Sequence, residues 1–150
     1  MDGMTSPADE LDARVVGLFA VVNRRYAREA EAAATAQDLT PLQAKALLYS
    51  ADPVPMRALA ERLHAEPSNL TALVDRLEER GLAERRSGAT DRRVKLVAAT
   101  EAGHRAIAEL RTAMPFATDP LGALDRDQRE TLGRLLALIA DEPWPADATP

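Results

Sequence analysis

The hydrophobic period of the sequence changes at Gly81, and this change restricts the fold more than any other feature. Before it, Leu70, Val74 and Leu77 recur at the i, i+4 and i+7 spacing of a helix. After it, apolar and polar residues alternate as in a strand. A second short helical pattern lies just upstream, at 56–63, and a tight turn separates the two helices. This order predicts a helix-turn-helix followed by a β-hairpin.

The hairpin after Gly81 has an unusually long connection. We predict strands at 82–86 and 93–98, separated by a loop at 87–92 that is rich in small residues. Because a tight hairpin needs only two residues there, the loop is expected to project as a wing. In the second strand, alternation predicts one face with Val94, Leu96 and Ala98 and another with Arg93, Lys95 and Val97.

The first predicted helix is long, and the sequence shows no neighbouring segment that would bury its apolar stripe. Ser6 and Pro7 mark its start, as an N-cap hydroxyl followed by proline at the first helical position. A terminal helix of this kind needs another surface against which to bury its stripe. At the spacing of one helix face, the stripe contains Leu11, Val15, Leu18, Val22 and Tyr26.

Capping residues predict the remaining helices. Thr40 opens a second helix, Thr100 opens a fifth that ends at Pro115 or Pro120, and Asp125 opens a sixth. The expected fold class is therefore mainly α (α+β), with six helices and a two- to three-stranded sheet. We expect a single domain over residues 1–150 and find no internal repeat.

The charge distribution permits a nucleic-acid partner even though the formal net charge is −5. The two ends of the chain, 1–12 and 141–150, contain acids and no bases. By contrast, 85–95 contains five basic residues and one acid. Because screening limits electrostatic attraction to roughly 8–10 Å, this local basic segment matters more for phosphate binding than the total charge does.

Several other functional classes lack their required residues. The absence of cysteine excludes disulfides, thiolate metal sites and thiol redox switches. Glu101 and His104 form a single Glu-x-x-His pair where a di-iron bundle needs two, and His64 is distant in sequence. We therefore expect no enzymatic activity and no cofactor. With no apolar run of about 20 residues and no signal-peptide start, we expect a cytoplasmic chain without a membrane partner.

The outer face of the helix after the turn contains the candidate base-reading residues. Once its apolar residues are assigned to the core, Ser68, Asn69 and Thr71 lie outside, where short hydrogen-bonding side chains meet base edges in the major groove. Arg76 lies further along, suited to phosphate or to supporting the wing. The alternative is that Ser68 and Asn69 only cap the start of the helix.

The hairpin contains the candidate minor-groove residues. Arg92 and Arg93 follow the small residues of the loop, and an arginine on a thin loop suits the narrow, strongly negative minor groove. Arg86, in the first strand, belongs to the same candidate DNA-binding set. The alternative is an ordinary solvated hairpin with a basic run.

Taken together, these motifs resemble the MarR (multiple antibiotic resistance regulator) family of winged helix-turn-helix transcriptional regulators. Three positions depart from the family pattern, Pro55, Glu66 and Ala99, and none of them is a candidate DNA contact. The resemblance rests on Leu59–Leu63, Pro67–Thr71, Val74–Leu82, Glu84–Arg86, the wing signature Asp91-Arg92-Arg93 and the helix start Thr100–Gly103.

The resemblance implies a role for each part of the chain. Arg93 would enter the minor groove and Asp91 would orient the arginines, although an aspartate is also favoured in any turn. Residues 40–99 would form the DNA-binding lobe. Helices within 6–36 and 100–141 would pair with a second copy and form a homodimer. The alternative is that these terminal helices fold back on their own core.

The predicted function is therefore sequence-specific binding of double-stranded DNA at a pseudo-palindromic operator, as a repressor of its own or neighbouring genes. The alternative is a winged-helix module that binds protein instead of DNA. By resemblance, a small aromatic or anionic effector would relieve repression from a site between the dimer helices and the DNA-binding lobe. Arg24, Arg25 and Arg28 could meet its carboxylate, or they could form a solvated basic face.

Overall fold

The structure, a computed structural model, describes the backbone of residues 7–144 and the side chains of residues 9–144. The chain divides between Thr118 and Asp119 into two compact units, and each is described by itself. None of the helices within the described range is both long and apolar enough to cross a membrane.

The first helix, α1 (Pro7–Ala36), has 30 residues, and most of it lies outside the core. The predicted stripe is exposed over its whole length, with Leu18 63% and Tyr26 44% accessible. Only the C-terminal end of the helix is buried, through Ala33 and Ala34. The predicted N-cap, Ser6, lies outside the described residues.

The second helix, α2 (Pro41–Tyr49), begins at the predicted capping box. The Thr40 hydroxyl accepts from the Gln43 amide at 3.2 Å, and the Gln43 side chain accepts from the Thr40 amide at 3.0 Å. The helix ends at Ser50, whose hydroxyl is buried and donates to the Leu47 carbonyl oxygen at 3.0 Å. Reciprocal capping at one end and a satisfied polar group at the other set the length of α2.

The helix-turn-helix is formed by α3 (Met56–Leu63) and α4 (Pro67–Glu79), as the apolar period predicts. His64 ends α3 in the left-handed conformation, with φ 49° and ψ 42°. Gly81 follows α4 with φ 68°, a conformation that glycine adopts without steric cost. The apolar faces of the two helices meet in the core, where the buried residues are Leu59, Leu63, Leu70, Leu73, Val74 and Leu77.

The sheet has three antiparallel strands in the order β1-β3-β2. β2 (Ala83–Ser87) pairs with β3 (Lys95–Ala99), with Arg85 opposite Val97. β1 (Val54–Pro55) pairs with the other edge of β3. Val54 and Pro55, which lie between α2 and α3, therefore add a third strand to the predicted hairpin.

At its C-terminal end, β3 is buried on both of its predicted faces. Val97 and Ala98, predicted to lie on opposite faces, are both buried. The reason is that β3 is the central strand and its end runs into the core, next to the start of the following helix. Both faces are covered there, while Lys95 at the other end is exposed.

The fifth helix, α5 (Glu101–Ala113), starts at Thr100, whose hydroxyl accepts from the Gly103 amide at 3.0 Å. Pro115 ends it, as predicted, but also begins an additional helix, α6 (Pro115–Thr118). Residues 7–144 therefore contain seven helices instead of six. The Glu29 carboxylate of α1 supports α6 by accepting from the amides of Phe116 and Ala117 at 2.9 and 3.1 Å.

The C-terminal unit contains α7 (Arg126–Ala140), which starts at the predicted cap. Asp125 and Gln128 form a second capping box, with hydrogen bonds of 2.9 and 3.0 Å. After the helix, the indole ring of Trp144 packs directly over Gly133, where a Cβ atom would overlap it. The apolar residues of α7 are largely exposed, Leu138 to 79% and Ile139 to 68%.

Candidate nucleic-acid interface

The N-terminal tip of α4 presents the three predicted base-reading residues to solvent. Ser68, Asn69 and Thr71 are all exposed, whereas Leu70 between them is buried. The helical period and the buried leucine therefore fix which side of α4 faces outward. Proline occupies the first helical position, where its missing N–H costs no hydrogen bond.

Ser68 and Asn69 are not engaged as caps. Glu66 is the N-cap residue, and its side chain makes no capping hydrogen bond. Within the described part of the chain, the side chains of Ser68 and Asn69 have no intramolecular hydrogen-bond partner. Their donors and acceptors therefore remain available to an external partner. The Thr71 hydroxyl donates to the Pro67 carbonyl oxygen at 3.0 Å and retains its capacity to accept.

Arg76 lies two turns along the outer face of α4. Its guanidinium pairs with Glu79 at 3.3 Å, and both side chains are largely exposed, 71% and 65%. A surface pair at this spacing contributes only about 0.3–0.5 kcal/mol. The pairing therefore leaves Arg76 able to turn toward a phosphate at little energetic cost.

The wing loop, which we define as residues 88–94, closes through backbone hydrogen bonds. The Gly88 amide donates to the Val94 carbonyl oxygen at 2.9 Å, and the Val94 amide donates to the Asp91 carbonyl oxygen at 3.1 Å. A Cβ atom at Gly88 would lie 2.6 Å from that same Asp91 oxygen. The loop therefore folds back so closely on its own base that it requires glycine at position 88.

Asp91 supports the wing through the backbone. Its carboxylate accepts from the Arg93 amide at 2.9 Å, the usual geometry of an aspartate in a turn. The guanidinium groups of Arg92 and Arg93 are exposed and have no ion-pair or hydrogen-bond partner among the described residues. They are therefore two uncompensated cations on a narrow loop.

Arg86 differs from the wing arginines because it is already paired. Its guanidinium contacts the Glu84 carboxylate, with Nε 2.6 Å from Oε1, and its side chain is 52% exposed. Sequence reasoning missed the importance of its neighbour, Arg85, which contacts α4. The available signal was strand alternation, which places two adjacent arginines on opposite faces.

A separate cavity of about 570 Å³ lies between α1, α2 and the end of α5. Tyr26, the last residue of the predicted apolar stripe of α1, lines it. The remaining lining is mainly apolar, with Lys45 and Glu31 adding charge. On α1, Arg25 stacks on the ring of Phe116 at 4.1 Å, so it is partly committed to packing.

The histidines give no sign of a metal site. His64 and His104 are both exposed, and the described residues contain no group of three or more potential metal ligands.

Comparison with known proteins identifies this arrangement. Residues 39–95, which contain the helix-turn-helix and the wing loop, match the model of the MarR family. The winged-helix segment of this chain belongs to the MarR family. No curated protein sequence matches the chain closely enough to count as a relative.

Several solved structures share this fold and align with most of the chain. A probable transcriptional regulator from Pseudomonas aeruginosa is 29% identical, with 86% of this chain and 98% of that chain covered and a TM-score of 0.58. CouR from Rhodococcus jostii RHA1, bound to p-coumaroyl-CoA, is 27% identical, with coverage of 97% and 99% and a TM-score of 0.64.

A mutant of E. coli MarR complexed with operator DNA shares the fold at 24% identity, with coverage of 90% and 99% and a TM-score of 0.60. The family and the fold are thus those of transcriptional regulators. They are not those of enzymes.

Proposed function

We propose that this MarR-family chain is a regulator that binds double-stranded DNA in a sequence-specific manner. The proposal rests on two sets of polar groups, both within residues 40–99, that are free to bind an external partner. Ser68 and Asn69 on the tip of α4 have no internal partner among the described residues, and neither do Arg92 and Arg93 on the wing loop. The first pair suits base edges in the major groove, and the second suits the minor groove.

The local charge is compatible with this role. Several exposed arginines of the described chain pair with a nearby carboxylate, as Arg86 does with Glu84. The two wing arginines form no such pair among the described residues, and the Asp91 carboxylate between them and Gly88 accepts from the Arg93 backbone amide. Duplex phosphate would supply the missing negative charge and release counterions on binding.

We propose further that the chain acts as a homodimer through its terminal helices. Leu11 and Leu18 on α1 are 60% and 63% exposed, and α7 exposes Leu138 and Ile139 still more. Large exposed apolar faces are uncommon on monomers and mark interaction surfaces. In this proposal, helices within 6–36 and 100–141 pair between two copies, while residues 40–99 of each copy contact one half-site.

We propose in addition that the chain acts as a repressor and that a small molecule relieves the repression. The cavity beside Tyr26 has the mainly apolar lining and the size of small-molecule sites. CouR, which shares the fold, is bound to p-coumaroyl-CoA. We therefore propose an aromatic or anionic effector for this chain as well, acting through unequal affinity for two arrangements of the dimer.

The deciding experiment is binding of the purified protein to tiled duplexes from upstream of its own gene, followed by footprinting of the tightest one. The expected result is protection of two related half-sites about one helical turn, ~10 bp, apart. Affinity should fall steeply with salt concentration. A chain that binds no duplex even at low ionic strength would contradict the proposal and would favour a protein-binding winged helix.

A further inference from the structure

Two adjacent arginines of β2 have different environments. The side chain of Arg86 is 52% exposed and faces solvent beside Glu84. The side chain of Arg85 is only 26% exposed and points toward α4. Strand alternation accounts for the difference, and it gives the two residues different chemistry despite their identical type.

Arg85 contacts α4 at three of its residues. One Nη atom lies 2.7 Å from the Asp75 carboxylate and 3.3 Å from the Thr71 carbonyl oxygen, and the other contacts the Glu78 carboxylate. Glu78 also accepts from the Arg85 backbone amide at 2.8 Å. A planar guanidinium can hold several acceptors in fixed directions at once, which a lysine ammonium does less well.

The positions of these contacts connect the two candidate DNA-reading elements. Thr71 belongs to the tip of α4, while Arg85 pairs with Val97 in the sheet from which the wing loop extends. The contact therefore spans the recognition helix and the base of the wing. A shift of Arg85 would change where Arg92 and Arg93 lie relative to Ser68 and Asn69.

We propose that Arg85 is a positioning residue that sets the orientation of the wing relative to α4 and does not itself bind phosphate. This inference rests on the proposed DNA-binding function. DNA binding should therefore depend on Arg85 through geometry rather than through direct contact.

The competing role, a direct phosphate contact, predicts the opposite response to loss of the carboxylates. If Arg85 bound phosphate, Asp75→Asn and Glu78→Gln would release it and remove negative charge, so affinity for the duplex would rise. If Arg85 positions the wing, the same variants weaken the anchor, and affinity falls severalfold. A rise in affinity with both variants overturns the inference.

The salt dependence of duplex affinity provides a second test between wing positioning and a direct phosphate contact. Arg85→Gln should lower affinity about tenfold, the usual effect of losing a charge-assisted hydrogen bond. Arg93→Gln is the matched comparison and should reduce the slope of log affinity against log salt by about 1. If Arg85 acts through the wing, the double variant Arg85→Gln/Arg93→Gln should have the same slope as Arg93→Gln alone, because Arg85 itself makes no phosphate contact. A further loss of about 1 in the double variant overturns the inference.

A double-mutant cycle distinguishes positioning from a general loss of stability. The affinity lost through Arg93→Ala should be markedly smaller in the Arg85→Gln background than in the wild type, since a misplaced wing no longer delivers Arg93. Arg85→Lys, which keeps the charge, should recover part of the affinity. Full additivity of the two substitutions would mean that Arg85 does not act through the wing.

Hydrogen exchange tests the same arrangement without DNA. In Arg85→Gln and in Glu78→Gln, amides of β2 and β3 should lose protection, while those of α2 remain as slow as in the wild type. Unchanged exchange in the two strands overturns the inference. A wild-type chain that binds no duplex overturns the proposed function instead, and the exchange result then still decides whether Arg85 holds the wing.

Discussion

The guanidinium of Arg80 donates to the backbone carbonyl oxygen of Asp38 at 2.6 Å. The same side chain donates to the carbonyl oxygen of Gln37 at 2.9 Å, and the Gln37 amide group donates to the Glu109 carboxylate at 2.6 Å. Asp38 has φ 53°, so the chain reverses sharply there. These bonds join the end of α4 to the end of α1 and to α5.

Arg80→Ala should therefore lower the free energy of unfolding by about 1–3 kcal/mol, because two carbonyl groups lose a charged donor. Urea denaturation followed by circular dichroism measures this change. Arg57→Ala is the matched control, since Arg57 is 91% exposed and, among residues 9–144, pairs only with Glu61 one turn away. That control should change stability by less than about 0.5 kcal/mol. Similar losses in both variants would contradict the assigned role of Arg80.

Gly103 marks the closest approach between α5 and the end of the helix-turn-helix. A Cβ atom at this position would overlap the Leu82 carbonyl oxygen, which already accepts from the Thr100 amide at 3.1 Å. Gly103→Ala should therefore destabilise the protein by about 1–3 kcal/mol, the usual cost of forcing extra volume into a packed site.

The control for Gly103 is Gly17→Ala. Gly17 lies on α1, and no neighbouring atom lies within 4 Å of the position that an added methyl group would occupy. Alanine should therefore stabilise that helix by up to about 1 kcal/mol. Thermal unfolding of both variants checks the prediction through the sign of the change. Equal effects at the two glycines would show that close packing at Leu82 does not require glycine.

The two candidate DNA-reading elements, the tip of α4 and the wing loop, should respond differently to substitution. Arg93→Ala should weaken duplex binding by about 1–3 kcal/mol and should reduce the salt slope, whatever the base sequence of the flanks. Asn69→Ala should chiefly reduce the preference for the operator over unrelated DNA. Fluorescence anisotropy with operator and scrambled duplexes at several salt concentrations measures both. Unchanged affinity and preference in both variants would contradict the site assignment.

The predictable parts of this fold are those fixed by local sequence. The bounds of α3 and α4 follow from an apolar period interrupted by prolines, and the caps at Thr40, Thr100 and Asp125 are correct because each depends on residues within one turn. The exposure of Ser68 and Asn69 follows from the same period. Physical interactions over three or four residues are visible in sequence without knowledge of the fold.

The parts that could not be predicted depend on distant residues. α6 is only four residues long, and its amides are held by Glu29, which is 87 positions away from Phe116. β1 is a two-residue strand defined by its pairing with β3. Likewise, strand alternation places Arg85 and Arg86 on opposite faces of β2, but nothing local indicates that Arg85 meets Asp75, which is ten positions away. Each of these assignments requires the tertiary arrangement.

The apolar face of α1 should be required for self-association. Leu18→Glu places a charge on a side chain that is 63% exposed in the single chain and buried in the proposed dimer. Burying an unpaired charge is strongly unfavourable, so this variant should shift the population toward monomer while keeping its helix content. Asn23→Glu, at a polar position of the same helix, is the control. Sedimentation velocity would contradict the proposal if wild type and Leu18→Glu were both monomeric.

The contact between Trp144 and Gly133 offers a test of the C-terminal unit that needs no label. Trp144 is the one tryptophan of the chain, so its emission reports on this contact alone. Gly133→Ala must displace the indole ring, which should shift the emission to longer wavelength and increase quenching by acrylamide. Helix content should stay equal or rise, since alanine favours a helix over glycine by about 1 kcal/mol. Thr131→Ala, at an exposed position of the same helix, should leave the emission unchanged. If the emission of Gly133→Ala also matched the wild type, the ring would not lie over this glycine in solution.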